Sequence, residues 1–146
     1  MKSVADILRS KPDQTVYNIA PGDSVFDALR LMADKNIGAL LVVEEGKIVG
    51  MLTERDYARK VILRDGSSKL ITVREVMTSS VMYVRPNQTN EECTALMTDN
   101  RLRHLPVIDN DKLLGLVSIG DLVKDIISEQ QFIIEQLQHY IQGQRG

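Results

Sequence analysis

Two stretches of the chain, GALLVVEEGKIVGMLTERD at residues 38–56 and RHLPVIDNDKLLGLVSIGD at residues 103–121, share one order of apolar and polar residues. The similarity extends upstream at a constant shift of 65 residues, and the two segments carry nine identities in thirty-six gap-free positions. Similarity of this extent at a fixed shift is the signature of an internal repeat. The chain therefore contains two copies of one unit, at residues 21–56 and 86–121.

Each copy predicts the element order β-α-β-β-α. A Ser or Thr followed three residues later by an acidic residue, at Ser24 and at Thr89, is typical of a helix N-terminus. Two short apolar runs then flank a polar turn, which is typical of paired strands, and a second helix follows near Glu54 and near Ile119. The predicted strands cover residues 16–19, 39–43 and 47–52 in the first copy and residues 81–84, 104–108 and 112–117 in the second.

Domain boundaries follow from the repeat. We expect the first repeat at residues 9–66, the second at residues 74–130, and a C-terminal helical extension at residues 131–146. Short helices at Val4–Leu8 and Val73–Met77 are expected to lead into the copy that follows each of them. One copy is too small to bury both faces of its sheet. We therefore predict an α+β fold in which the copies pack about a pseudo-two-fold axis and leave clefts at their junction.

The composition describes an ordinary globular protein. Of the 146 residues, 43% are apolar and 26% are charged, and the formal net charge is −2. This charge gives little attraction for a phosphate backbone, so nucleic-acid binding is not expected. No apolar run approaches the ~20 residues that span a bilayer, and the first residues have no signal-peptide core. We therefore expect a cytoplasmic protein without membrane association.

No group of residues has the spacing of a catalytic or metal site. The single cysteine, Cys93, lies on an apolar helical stripe and is expected in the core. His104 and His139 are far apart in the sequence, and no cluster of His, Cys and Asp has metal-ligand spacing. We therefore expect neither an enzyme nor a bound metal.

The last part of the chain predicts a long helix. From Ile119 to Gln142 the only residue that disfavours a helix is Gly120, and a helix of ~20 residues would extend ~30 Å. Its apolar side chains need a cover, which is either the chain's own domain or a second copy in a homodimer. These apolar side chains are Phe132, Ile133, Ile134, Leu137 and Tyr140.

One motif, Thr or Ser followed three residues later by Asp, ends the last strand of both copies. It occurs as Thr53 with Asp56 and as Ser118 with Asp121. An aspartate can accept hydrogen bonds from the two hydroxyls of a ribose, and a helix N-terminus beside it favours phosphate. The same spacing is also that of a helix capping box, so the motif alone leaves both interpretations open.

Basic residues lie near these motifs. Arg55 and Arg59 are one helical turn apart, which is also typical of a solvated helix face. Arg103 and His104 precede an apolar strand and could hold a phosphate through the guanidinium and a ring N–H. Pro106 removes one backbone donor from that strand and indicates an edge or cleft position. The first copy has small, uncharged residues at the place of this basic pair, so we expect the two sites to differ.

The two copies together resemble a pair of cystathionine-β-synthase (CBS) domains, a Bateman module. The resemblance rests on the duplicated β-α-β-β-α order and on the two Thr/Ser-x-x-Asp ends, and it covers nearly the whole chain. It also rests on four matching strand sequences, GALLVV at 38–43, KIVG at 47–50, RHLPVI at 103–108 and KLLG at 112–115.

The resemblance implies a regulatory sensor that binds an adenosine compound: AMP, ADP, ATP, NAD or S-adenosylmethionine. Such a module would signal to a separate, unknown partner by a conformational or oligomeric change. The alternative is a ligand-free oligomerisation scaffold that acts through the C-terminal helix. The residues implied for ribose are Asp56 and Asp121 with Thr53 and Ser118. Those implied for phosphate are Arg103 and His104, and in the first copy Arg55, Arg59 or residues of the opposite copy. Those implied around the base are Val16, Tyr17, Gly38, Ala39, Val81, Met82 and Pro106.

Overall fold

The computed structural model describes residues 2–64 and 66–145, which divide into two compact units. The first unit comprises Thr15–Met82. The second unit comprises the residues up to Gln14 together with the residues from Tyr83 onward. The elements in chain order are α1 (Val4–Ser10), β1 (Asn18–Ile19), α2 (Val25–Lys35), β2 (Ala39–Glu44), β3 (Lys47–Thr53), α3 (Glu54–Lys60), α4 (Val73–Val76), α5 (Asn90–Asn100), β4 (His104–Asp109), β5 (Lys112–Ser118) and α6 (Ile119–Arg145), with a 3-10 turn at Ile62–Arg64 after α3.

The α+β class and the predicted hairpins are confirmed. In the first unit β1 pairs parallel with β2, and β2 pairs antiparallel with β3. In the second unit β4 pairs antiparallel with β5 in the same register as β2 and β3. The predicted N-termini of α2 and α5 are also confirmed. The Ser24 and Thr89 hydroxyls each accept a hydrogen bond from the backbone N–H three residues later.

The strand predicted at residues 81–84 is wrong except at its last residue. Only Val84 pairs, through hydrogen bonds from its N–H to the Pro106 carbonyl and from the Ile108 N–H to its own carbonyl. In the first copy the residue equivalent to Pro106 is Leu41, whose N–H donates to the Tyr17 carbonyl. Proline has no N–H to donate, so the ladder of the second copy lacks this bond and shortens to a single bridge.

Each of the two short helices packs in the core of the other copy from the one we expected. Helix α1 packs in the second unit, where Val4 and Ile7 are buried in its core. Helix α4 packs in the first unit, where Val73 and Val76 are buried in the other core. Each helix is held by equivalent backbone bonds: the Val4 N–H donates to the Gln88 carbonyl at 2.8 Å, and the Val73 N–H donates to the Asp23 carbonyl at 2.8 Å. The expectation that each helix leads into the following copy is therefore wrong.

A glycine shared by both copies allows close packing on each sheet, by α1 itself at Gly115 and by the two residues that follow α4 at Gly50. A Cβ added at Gly50 would lie 2.6 Å from the Met77 sulfur and 2.9 Å from the Thr78 carbonyl oxygen. A Cβ added at Gly115 would lie 2.8 Å from the tip of the Leu8 side chain. Both distances are below van der Waals contact, so the repeat keeps a residue without a side chain at this point.

We expect Gly50→Ala to destabilise the protein more than Gly115→Ala. The obstacle at Gly50 includes backbone, which cannot rotate away, whereas the obstacle at Gly115 is the flexible end of one leucine. Overpacking of this kind costs about 1–3 kcal/mol where the neighbours cannot yield. Urea denaturation of the two variants would measure the free energies of unfolding, and equal losses would contradict this account of the two contacts.

The core of the second unit contains Cys93, as the sequence predicts. Its side chain is fully buried among Val84, Leu105 and Val117. Burial raises the pKa of the Cys93 thiol to about 11, so it stays protonated at neutral pH. It is a packing residue rather than a nucleophile.

Helix α6 has 27 residues, and the side chains that the structure describes as buried lie in its first two turns. Leu122 and Asp125 are buried there, and Asn90 donates from its amide to the Leu122 carbonyl and to Asp125. Every side chain from residue 131 to residue 143 is exposed. The alternative in which the helix folds back over its own core is therefore not the arrangement found. Among the helices of residues 2–64 and 66–145, none combines the length and the apolar composition that crossing a bilayer requires.

Candidate functional site

The two Thr/Ser-x-x-Asp motifs form helix capping boxes. At the start of α3 the Thr53 N–H donates to Asp56 Oδ2 and the Asp56 N–H donates to Thr53 Oγ1, both at 3.1 Å. At the start of α6 the Ser118 N–H donates to Asp121 Oδ2 at 2.8 Å, and the Asp121 N–H donates to Ser118 Oγ at 3.1 Å. The capping interpretation of these residues is therefore confirmed.

The cap uses only one oxygen of each carboxylate. In both boxes the backbone N–H is bound by Oδ2, which fixes the orientation of the carboxyl group and leaves Oδ1 outside the cap. Asp56 Oδ1 lies 3.5 Å from Lys60 Nζ and 3.4 Å from Thr78 Oγ1. Within the described residues no donor contacts Asp121 Oδ1. Each carboxylate can therefore cap its helix through Oδ2 and bind a ligand through Oδ1. Oδ1 of Asp56 has two polar neighbours, whereas Oδ1 of Asp121 has none among the described residues.

The second unit brings Arg103, His104, Ser118 and Asp121 to one end of its sheet. His104 begins β4 and lies opposite Ser118, the last residue of β5. The Arg103 carbonyl accepts a hydrogen bond from the Ile119 N–H in the first turn of α6. The four residues that the sequence singled out in this copy are therefore neighbours, and the N-terminus of a long helix lies among them.

His104 is neutral at neutral pH. Burial lowers its pKa below the ordinary 6.5 as the largest cause, Asp121 opposes this shift, and the positive charges of Lys11 and Arg103 add to it. A neutral imidazole still has one N–H donor for a phosphate, but it contributes no charge. The positive charge at this end of the sheet comes from Lys11 and Arg103.

Lys11 is the residue of this site that sequence reasoning missed. Its ammonium lies 3.0 Å from Asp121 Oδ2 and donates to the Leu116 carbonyl at 2.8 Å. About a quarter of its side chain is exposed. Lys11 follows α1 directly and arrives here because α1 packs in the second unit. No local pattern relates it to residues more than a hundred positions away.

The first unit brings Gly38, Ala39, Thr53 and Asp56 to the equivalent end of its sheet. Ala39 lies opposite Thr53, and the Gly38 carbonyl accepts from the Glu54 N–H at 3.1 Å. The Lys60 ammonium near Asp56 also donates to the Val76 carbonyl at 2.9 Å. This end has no counterpart of Arg103 and His104. Its lysine, like Lys11 in the second unit, contacts both the capping aspartate and a backbone carbonyl.

The remaining site candidates have different surroundings. Arg55 and Arg59 are exposed on α3, which agrees with a solvated face. Tyr17 is half-buried, as is Val16, and its ring lies 5.5 Å from the Lys35 ammonium. Pro106 is buried in β4. Val81 is half-buried and Met82 is exposed, and both lie outside the strands.

We expect the pKa of His104 to make stability depend on pH. Because the folded state lowers this pKa, the unfolded chain binds the proton first as the pH falls below about 6.5. The free energy of unfolding should therefore fall as the pH falls from 6.5 towards the lower pKa of the folded state. His104→Gln should flatten this part of the profile, whereas His139→Gln, at an exposed position of α6, should leave it unchanged. Equal profiles for the parent and His104→Gln would contradict the assignment.

Comparison with known proteins gives one consistent family. The family model for the CBS domain matches residues 4–63 and 73–128. The CBS domain-containing protein CBSX3, mitochondrial, of Arabidopsis thaliana is 38% identical over 97% of this chain and 72% of its own length.

Solved structures show the same similarity. A protein with CBS domains from Burkholderia ambifaria is 56% identical, with a TM-score of 0.86 over 88% of this chain and 96% of that one. The CBS domain pair of protein MJ0100, solved in complex with 5′-methylthioadenosine and S-adenosyl-L-methionine, shares the fold, with 24% identity and a TM-score of 0.74 over 86% of this chain and 99% of that one.

Proposed function

This chain belongs to the CBS domain family, and from that premise we propose that it is a regulatory module that binds an adenosine-containing nucleotide. The ligand class comprises AMP, ADP, ATP, NAD and S-adenosylmethionine. The bound nucleotide changes the conformation or association of the chain, and a separate partner protein reads this change. The role is regulatory rather than catalytic.

The observation that carries the proposal is the arrangement around Asp121. Its Oδ2 is held by the cap and by Lys11, and its Oδ1 is available to the hydroxyls of a ribose. Lys11 and Arg103 supply positive charge beside it, and the first turn of α6 supplies backbone N–H groups. A ribose and a phosphate on the same molecule require this combination of one acceptor and several donors.

A relative with the same fold supports the class of ligand. The CBS domain pair of protein MJ0100 binds two adenosine compounds, 5′-methylthioadenosine and S-adenosyl-L-methionine. In our proposal the apolar and small residues singled out from the sequence contact adenine, and the capping aspartate of each unit contacts a ribose. The proposed base contacts are Val16, Tyr17, Gly38, Ala39, Val81, Met82 and Pro106.

The two ends should not bind equally well. Asp56 Oδ1 already has Lys60 and Thr78 as neighbours, and a ribose would have to displace them. The second unit also has Arg103, for which the first unit has no counterpart. We therefore assign the tighter site to Asp121, and the weaker site to Asp56.

A thermal-shift panel tests the proposal. The ligands are AMP, ADP, ATP, NAD, NADH and S-adenosylmethionine, with the matching guanosine compounds as controls. A ligand at a hundred times its dissociation constant adds about 2.7 kcal/mol, which corresponds to a shift of several degrees. Shifts confined to adenosine compounds would support the proposal.

The second candidate function is a ligand-free oligomerisation scaffold. The exposed apolar side chains of α6 favour it, because they offer an association surface that needs no nucleotide. The panel separates the two functions. No shift with any adenosine compound at millimolar concentration would overturn nucleotide binding and leave the scaffold as the function.

A further inference from the structure

The exposed apolar residues of α6 form one continuous stripe. At about 100° per residue, seven of those from Val123 onward lie within about 60° of the direction in which Gln130 points. Each is between 40% and 56% exposed. Phe132, which the sequence analysis placed among them, points to the far side of the helix by the same geometry. The stripe consists of Val123, Ile126, Ile127, Ile133, Ile134, Leu137 and Ile141.

The stripe lies beside the buried side of the helix and is not covered by the unit that carries it. Among the α6 residues whose burial the structure describes, Leu122 and Asp125 are buried, and both lie outside the stripe, at about 80° and about 140° from the direction of Gln130. A stripe of this length and width is typical of a helix that packs against another helix. Helical stability in water comes mostly from such packing rather than from propensity. The second half of α6 therefore has the apolar stripe of a helix that packs against another helix, but the side chains of this stripe are exposed.

One polar residue, Gln130, lies at the centre of the stripe. Its neighbours one turn away in each direction are Ile126, Ile127, Ile133 and Ile134. Covered by a purely apolar surface, its amide would lose its hydrogen bonds to water without replacement, which is costly. Covered by the same stripe of a second copy, one amide can donate to the other and accept from it. A single buried polar residue of this kind also sets the register of paired helices.

The charges of α6 agree with self-association and disagree with a lipid surface. Because few charges flank the stripe in the second half of α6, two identical helices can pair there with little like-charge repulsion. Between residues 130 and 142 the only acidic or basic residue besides His139 is Glu135, which lies on the opposite side from the stripe. From residue 125 to residue 143 the helix has no lysine or arginine, whereas a helix that lies on anionic lipid needs them on its polar face.

We propose that the stripe of α6 pairs with the same stripe of a second copy of this chain, with Gln130 facing Gln130 of that copy. The pairing buries the apolar residues of both helices and satisfies the central amides. It needs no nucleotide, so it holds or fails independently of the proposed ligand.

Two charge variants of the full chain test the surface. Leu137→Glu places a charge inside the stripe, and Gln136→Glu places the same charge on the adjacent residue outside it. Sedimentation velocity without nucleotide should give dimers for the parent and for Gln136→Glu. The dissociation constant of Leu137→Glu should rise by at least about 100-fold, because an unpaired charge would be buried. Both residues are exposed, so circular dichroism should show the same helix content. A monomeric parent, or equal dissociation constants for the two variants, would overturn the proposal.

Two cysteine variants test the register. Gln130→Cys should form a disulfide-linked dimer under mild oxidation, and Ser128→Cys, which points to the far side of α6, should not. The native Cys93 does not interfere, because it is buried and its pKa is raised to about 11. Cross-linking of Ser128→Cys as fast as that of Gln130→Cys would overturn the placement of Gln130 at the interface. A failure in either pair of variants leaves the nucleotide panel unaffected, so the two proposals are tested separately.

Discussion

Asp121→Asn should weaken the binding of AMP by on the order of 100-fold, while the protein keeps its fold. The side-chain carbonyl of asparagine can still accept the hydrogen bond from the Ser118 N–H, so the cap is retained. The variant loses the negative charge and the second acceptor that the two ribose hydroxyls need. Hydrogen bonds to charged groups contribute about 1.5–3 kcal/mol each, so the loss of their charge-assisted character is sufficient for this effect.

The choice of asparagine matters because Asp121 has two roles. Alanine would remove the hydrogen bond that the Asp121 carboxylate accepts from the Ser118 N–H as well as the ligand contact, whereas the hydroxyl of Ser118 would still cap the backbone N–H of residue 121. A loss of binding in an alanine variant of Asp56 or Asp121 would therefore be mixed with a loss of helix stability. Glu92→Gln is the matched control, since it removes one charge from the third position of α5 and lies away from the site.

Isothermal titration calorimetry of the parent and the three variants Asp121→Asn, Asp56→Asn and Glu92→Gln measures the effect. Parent and Glu92→Gln should bind AMP with equal affinity. Asp56→Asn should change the affinity of the tight site by less than Asp121→Asn does, because that site is assigned to Asp121. If Asp121→Asn bound AMP as tightly as the parent, the site assignment would be wrong, whatever the outcome for the helix stripe.

The parts of the fold that depend on neighbouring residues could be predicted from the sequence. The hairpins β2–β3 and β4–β5 each follow from two apolar runs around a polar turn, and the register places the ends of the paired strands together. The capping residues follow from a three-residue spacing. The proximity of His104 to Ser118 could therefore be predicted from the sequence once the hairpin was assigned.

The parts that depend on distant packing could not be predicted in the same way. Helices α1 and α4 have nearly the same sequence pattern, with a capping Ser or Thr, then Val, then a second apolar residue three positions later. Either core could accept either helix on this pattern. The position of Lys11 beside Asp121 depends on which core α1 joins, so the error in placing α1 also hid a residue of the site.

Ile7→Ala should loosen the second unit and leave the first unit intact. Ile7 is fully buried against Val84, Leu105 and the other core residues of the second unit, so its truncation leaves a cavity there. The expected cost is about 3 kcal/mol, within the range for isoleucine to alanine in a core. Hydrogen–deuterium exchange should show faster exchange in β4 and β5 and unchanged exchange in β2 and β3.

Val76→Ala is the counterpart on α4, and its effect should fall on the other unit. Val76 packs in the core with Leu40 and Leu52, so β2 and β3 should lose protection while β4 and β5 keep it. Leu70→Ala, at a side chain that is 85% exposed, controls for the substitution itself and should change neither unit. If each helix packed in the copy that follows it in the chain, Ile7→Ala would raise the exchange of β2 and β3, and Val76→Ala would raise that of β4 and β5. Ile7→Ala should in addition weaken AMP binding at Asp121, because α1 positions Lys11 there, whereas Val76→Ala should leave that affinity unchanged.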